Sequence, residues 1–321
     1  MRKPAKTAAG AASVATSTAQ RRTASRPKET PARKKRVPKV RLEKDPARAL
    51  VYTVFGKSRS KPLLRRDVYR TLLAGERAVG AATTSAASPR ICAEGDSWIN
   101  ILSEISGYPK TFFDVIQDKY ADTTSVAYPG DTLQDMLIDM DYEQPIKSGV
   151  FDFFIFSGGG VDVLGGGALA DLLRRREDVG SSSDPKDYLN LEWLDAVLDA
   201  AKSAYLKIAK DVDVWSARTR MLVHGYDYPV ARNGGIWIGI PFRNRGYDLT
   251  ADKVIIKKIM THLVDRFYAM LAEVAKQRKN VTVVDLRNIC RGRWHDELHA
   301  KEAASLDFAT EFIKEFPALT A

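Results

Sequence analysis

Cysteine is nearly absent from this chain: Cys92 and Cys290 are the only two in 321 residues, too few for a disulfide framework. There are just four histidines, and no Cys/His spacing suits a structural zinc site. No apolar run approaches the roughly 18 residues of a membrane span. A secretory leader is not expected either, since Thr7–Gln20 is mostly Ala, Ser and Thr, and no apolar stretch lies behind Arg21-Arg22. A cytoplasmic location is the expectation, although an Arg- and Ser-rich, acid-poor start also fits an organelle transit peptide.

The residues that are present divide unevenly. With 45% apolar and 28% charged residues, the chain can bury one large core or two small ones. Its net charge of +10 belongs to one end: residues 1–45 hold 14 basic and 3 acidic side chains, the remainder 36 and 37. Residues 1–47 therefore read as a disordered basic tail, densest at Arg33-Lys34-Lys35-Arg36. Such a tail either aids solubility or makes loose, salt-sensitive contact with nucleic acid or an anionic surface through residues 1–45. Residues 48–87 read as a helical lead-in and linker, with Leu63, Leu64, Val68, Leu72 and Leu73 on one face of a helix over Lys61–Val79.

From residue 88 to 321 strand-like and helical runs alternate. Strands are expected at Arg90–Ala93, Thr124–Tyr128, Phe151–Phe156, Arg220–His224 and Val281–Leu286. Between and after them, Trp98–Tyr120 (broken at Gly107-Tyr108-Pro109), Thr132–Met140, Ala168–Arg176, Leu191–Val212, Ala251–Gln277 and Ala300–Glu315 read as helical. Five strands separated by helices argue for an α/β domain with a parallel sheet covered on both faces. Ligands of such sheets bind beyond the carboxyl ends of the strands, so the residues just after each strand matter most.

The first strand runs into Gly95-Asp96-Ser97-Trp98. A serine there is placed as a nucleophile at the sheet edge or as a helix cap. It is not the G-x-S-x-G elbow, because Ile99 stands where the second glycine belongs. The second strand ends at Gly130, whose backbone N–H can approach a bound oxygen closely or simply serve a turn. The third runs into Gly158-Gly159-Gly160-Val161-Asp162, again implying close backbone approach. The pattern G-x-G-x-x-A at Gly165–Ala170 lies too far from its strand to bind a dinucleotide. Near the C-terminus, Asp296-x-x-His299 sets a carboxylate beside an imidazole, so that one ring nitrogen is held and the other is left as a base.

Taken in order, these features resemble the SGNH, or GDSL-type, hydrolase superfamily across about residues 88–316. Gly95-Asp96-Ser97 matches its first block, Gly130 its second and Asp296/His299 its fourth. Gly159-Gly160-Val161-Asp162 stands where the third block, G-x-N-D, is usual, with Val161 replacing the asparagine. The resemblance implies a flavodoxin-like three-layer α/β/α sandwich with a five-stranded parallel sheet. It further implies hydrolysis of acyl or acetyl esters, small-molecule, carbohydrate or lipid, with no metal or other cofactor. Ser97, His299 and Asp296 would be the catalytic residues, and the backbone N–H groups of Ser97, Gly130 and Gly160 the oxyanion hole. A missing oxyanion donor costs about 2.7–4 kcal/mol, so Val161 raises the question of which group replaces the amide, with Asn100 and the neighbouring glycine N–H groups as candidates. Asp96, Trp98, Asp162, His224 and Trp237, the last in a loop over Ala231–Gly246, are candidates for the substrate wall.

Two other classes compete. Val161 favours a binding protein that keeps the fold and has lost catalysis. His295 and His299, four apart, suggest a zinc hydrolase, but Asp296 stands where H-E-x-x-H has glutamate. Cys92 and Cys290 read as buried free thiols.

Overall fold

The computed structural model describes residues 41–44, 52–55 and 88–316. The basic cluster Arg33–Arg36 and the helix expected over Lys61–Val79 lie outside the described residues. Strands β1 (Arg41–Lys44) and β2 (Tyr52–Phe55) pair antiparallel, extended structure that the composition of neither tail nor lead-in announced.

From residue 88 onward the chain builds the expected sheet. Strands β3 (Ile91–Gly95), β4 (Thr123–Ser125), β5 (Phe153–Ser157), β6 (Arg220–Val223) and β7 (Val281–Val283) pair in parallel in the order β4-β3-β5-β6-β7. Relative to the first of the five strands this is the flavodoxin-like order 2-1-3-4-5. Bonds from Val126 N–H to the Ala93 carbonyl and from Tyr128 N–H to that of Gly95 carry the β4 edge on to Tyr128, the extent expected from sequence.

The period-two alternation of β5 decides the layers. Phe154 and Phe156 enter one core, and Phe153 and Ile155 the other. The first core is covered by α3 (Leu133–Asp139), α4 (Glu143–Lys147), α6 (Ala168–Leu172), α7 (Leu191–Trp215), α8 (Gly239–Asn244) and α9 (Lys253–Gln277). The second is covered by α2 (Phe112–Lys119) and α10 (Glu302–Ile313), whose Phe112 and Phe312 rings stack at 4.6 Å. Short α1 (Ser103–Ser106) and α5 (Gly160–Leu164) complete the α/β/α sandwich. Among the described residues no helix is long and apolar enough to cross a membrane.

Some boundaries differ from the sequence expectation for identifiable reasons. Helix is absent over Trp98–Leu102 because Asp96 binds Trp98 N–H through its side chain and Ile99 and Asn100 N–H through its carbonyl, closing a turn. Helix α2 starts later, at the capping box in which Thr111 and Asp114 exchange hydrogen bonds. The run read as helical through Arg176 stops at Leu172, and Leu173 instead bridges Leu189. The stretch that begins at Gly160, outside the expected helices, forms α5.

Candidate active site

Gly95 ends β3 with its backbone against β5: a Cβ there would lie 2.3 Å from the Ser157 carbonyl oxygen. That approach lets Asp96 N–H bond the same carbonyl at 3.0 Å, and the turn begun there raises Ser97 at the carboxyl edge of the sheet. Ser97 is buried and its Oγ lies 2.9 Å from His299 Nε2, across 202 residues of sequence.

His299 and Asp296 share one tight turn. His295 N–H bonds the His299 carbonyl at 2.7 Å, and Trp294 and Ala300 bridge across its mouth. Inside it, Asp296 Oδ2 meets His299 Nδ1 at 2.7 Å, while Oδ1 accepts the N–H groups of Leu298 and His299. Burial pushes the Asp296 carboxyl up, but the His299 ring and these N–H groups outweigh it and hold the group at about 2. An ionised carboxylate only accepts, so Nδ1 carries the hydrogen and Nε2 is left to accept the Ser97 hydroxyl proton. The zinc reading needs at least three ligands around His295 and His299, and among the described residues no three His, Cys, Asp or Glu side chains are grouped to hold a metal ion.

Ser97 and Gly130 face a cavity of about 700 Å³ shared with His299, Trp98 and Trp237, and Met260, Leu263 and Phe267 of α9 give it an apolar wall. Among the described residues no protein group accepts the N–H of Ser97 or of Gly130. Gly160, expected beside them, is corrected: its N–H donates to the Tyr226 hydroxyl at 2.8 Å. Asn100 is turned to its own loop, accepting Leu102 N–H.

Two expected wall residues are elsewhere. Asp162 accepts the Leu133 N–H at the start of α3, tying the Gly130 loop to the third-strand loop, and it does not line the cavity. Burial raises its carboxyl. His224 is wholly buried among Trp98, Phe112, Tyr226 and Phe312, with Nδ1 accepting Tyr226 N–H. Burial lowers it to about 3, so it is neutral. Asp96 does line the cavity, but its carboxyl is committed to Trp98 N–H, Ser157 Oγ and the Tyr226 hydroxyl. Cys92 and Cys290 are buried free thiols, and burial pushes Cys290 up to about 12.

Three organising residues had no individual role in the sequence reading, although Tyr226 and Asp227 lie in the segment after the fourth strand that it places on the rim with Ser97. Tyr226 joins Asp96 to Gly160. Asp227 is buried and accepts the N–H groups of Asn288 and Cys290, fixing the loop that leads to the Asp296 turn. Glu297, also buried, accepts four N–H groups, from Arg232, Trp237, Ile238 and Gly239. Gly235 faces Glu297 so closely that a Cβ would lie 1.9 Å from its carboxyl carbon. A glycine-rich segment downstream of β6 was the only sequence signal that the chain wraps something there.

No protein-family model matches the sequence. No curated protein matches it either. Solved structures similar to it include an extracellular lipase from Streptomyces rimosus (16% identity, 71% of this chain and 99% of that one, TM-score 0.47). Another is phospholipase A1 from Streptomyces albidoflavus (14%, 71% and 100%, TM-score 0.46). An acetyl xylan esterase is also similar (12%, 70% and 98%, TM-score 0.39).

Proposed function

We propose that this chain is a serine-dependent ester hydrolase. The observation that carries the reading is the unbroken hydrogen-bonded series Ser97–His299–Asp296 at the carboxyl edge of a parallel sheet, opening on a cavity. His299 Nε2 takes the Ser97 proton as Oγ attacks the acyl carbon, and Asp296 stabilises the imidazolium and fixes its tautomer. The N–H groups of Ser97 and Gly130 hold the oxyanion. His299 then protonates the departing alkoxide, and a water activated by the same nitrogen hydrolyses the acyl-enzyme. The apolar wall from α9 suits the acyl portion of a small-molecule, carbohydrate or lipid ester.

A fluorophosphonate probe tests the reading. Labelling of the wild-type chain, its loss in Ser97→Ala, and parallel loss of turnover on a short-acyl nitrophenyl ester are expected. A second reading, a binding protein on the same fold, is favoured by the occupied Gly160 N–H and by Val161. It predicts neither labelling nor turnover.

A further inference from the structure

We infer that the Tyr226 hydroxyl is the third hydrogen-bond donor to the oxyanion and that Asp96 is its proton-holding partner, an inference that rests on the serine-hydrolase reading above.

Position comes first. Tyr226 lies three residues beyond β6, on the rim that carries Ser97, and lines the same cavity as Ser97, Gly130 and His299. Its oxygen lies 2.8 Å from the Gly160 nitrogen and 2.6 Å from Asp96 Oδ2, between the two loops that leave the neighbouring strands β3 and β5. Space for the phenol is reserved: a Cβ at Gly160 would stand 2.8 Å from Tyr226 Cζ and 2.9 Å from its oxygen. Val161, next in the chain, has no polar atom to offer, and its methyl group packs towards Gly165.

The hydroxyl is also held still. The ring packs edge-on against Trp98 at 5.1 Å and against His224 at 5.0 Å. Its backbone N–H goes to His224 Nδ1, and its carbonyl accepts the Tyr268 hydroxyl. Tyr226 adopts a positive φ of 69°, an uncommon conformation for a bulky residue that the surrounding contacts impose.

Counting hydrogens gives Asp96 its part. A phenol oxygen has one hydrogen and accepts in two directions. Gly160 N–H takes one acceptor site, so while Asp96 is ionised the phenol hydrogen is directed at Oδ2. Oδ1 already accepts Trp98 N–H and the Ser157 hydroxyl, each at 3.0 Å, so a proton on Asp96 sits on Oδ2. It then donates to Tyr226 and turns the phenol hydrogen into the cavity. Complete burial raises the Asp96 carboxyl, which makes that protonated form easier to reach.

Steady-state kinetics on a nitrophenyl ester, together with inhibition by a trifluoromethyl ketone whose adduct carries an oxyanion, test this. Tyr226→Phe keeps the ring packing; kcat is expected to fall about 10²–10³-fold. KM is expected to stay within about threefold, and trifluoromethyl ketone affinity to weaken in parallel with kcat. A purely structural role would leave that affinity untouched. Asp96→Asn is the second variant: the two donors on Oδ1 orient the amide so that its NH₂ faces Tyr226, and kcat is expected to rise. A Tyr226→Phe variant with near wild-type kcat, or with unchanged ketone affinity, overturns the donor role while Ser97-dependent labelling leaves the hydrolase reading intact. A fall in kcat on Asp96→Asn overturns the part given to Asp96. Absence of any Ser97-dependent reaction in the wild-type chain overturns both readings together.

Discussion

Asp296 and Glu297 are consecutive buried or half-buried carboxylates with separate partners: Asp296 receives His299 Nδ1 at 2.7 Å, whereas Glu297 gathers backbone N–H groups from Arg232 to Gly239. One peptide bond therefore joins the residue that orients the imidazole to the residue that shapes the loop carrying Ile236 and Trp237 over the cavity.

Glu297→Ala leaves four N–H groups without their acceptor. Unfolding free energy is expected to drop by about 3 kcal/mol or more, since each unpaired buried donor costs roughly 1–3 kcal/mol. Urea titration measures the loss, and faster amide exchange confined first to residues 232–239 locates it.

Asp296→Asn removes the carboxylate that fixes the tautomer, and kcat is expected to fall about 10⁴-fold. The same group adds an acid-side signature. Its folded value of about 2 lies below the ordinary 3.8, so its stabilisation is present above about pH 3.8 and is lost as pH falls through about 2. Acid unfolding curves of the variant should lack that component.

His224 acts with the same sign on a different window. Its folded value of about 3 lies below 6.5, so the unfolded chain binds its proton first as pH falls. Stability from this group is full above pH 6.5 and declines towards pH 3, with a limiting slope of about 1.4 kcal/mol per pH unit. His224→Asn, which keeps an acceptor for Tyr226 N–H, is expected to flatten that decline in thermal melts taken across the window.

Gly95→Ala places a methyl group 2.3 Å from a backbone oxygen of the adjoining strand. That clash forces β3 and β5 apart at their carboxyl ends. Destabilisation of about 1–3 kcal/mol or more is expected by calorimetry, with loss of Ser97 labelling.

The elements easiest to read from sequence were those whose physics is local. Phe153–Ser157 is a continuous apolar run, and its burial on both faces is what such a run needs. The helix expected from Thr132 does start there, since the capping box of Thr132 and Asp135 that opens α3 is contained within four residues. Gly95, Ser97 and Gly130 were legible as short motifs after strands, and Asp296 and His299 as a four-residue motif near the C-terminus. Helix α5 was not, because it opens on Gly160 behind a Gly159 cap, and glycine is a poor helix former.

The residues that stayed hidden depend on partners far apart in the chain. Tyr226 acquires its place from Asp96, 130 residues away, and from Gly160, 66 away. Glu297 is surrounded by N–H groups about 60 residues upstream. Asp162 and His224 looked like wall residues because polar groups at strand ends usually face the rim; here one ties two loops together and the other fills an aromatic box. Residue type announced polarity in each case, and only the packing determined its direction.

The bridge between Trp294 and Ala300 makes a closed clip of the residues between them. Acid and imidazole share that clip, and the hydrogen bond between them closes within a single turn. The serine belongs to a different stretch, 202 residues earlier, so the contact between clip and serine is the long-range one. That contact depends on the packing that seats the clip, and α10, which begins just beyond Ala300, is anchored by Ala304, Phe308 and Phe312 in the second core.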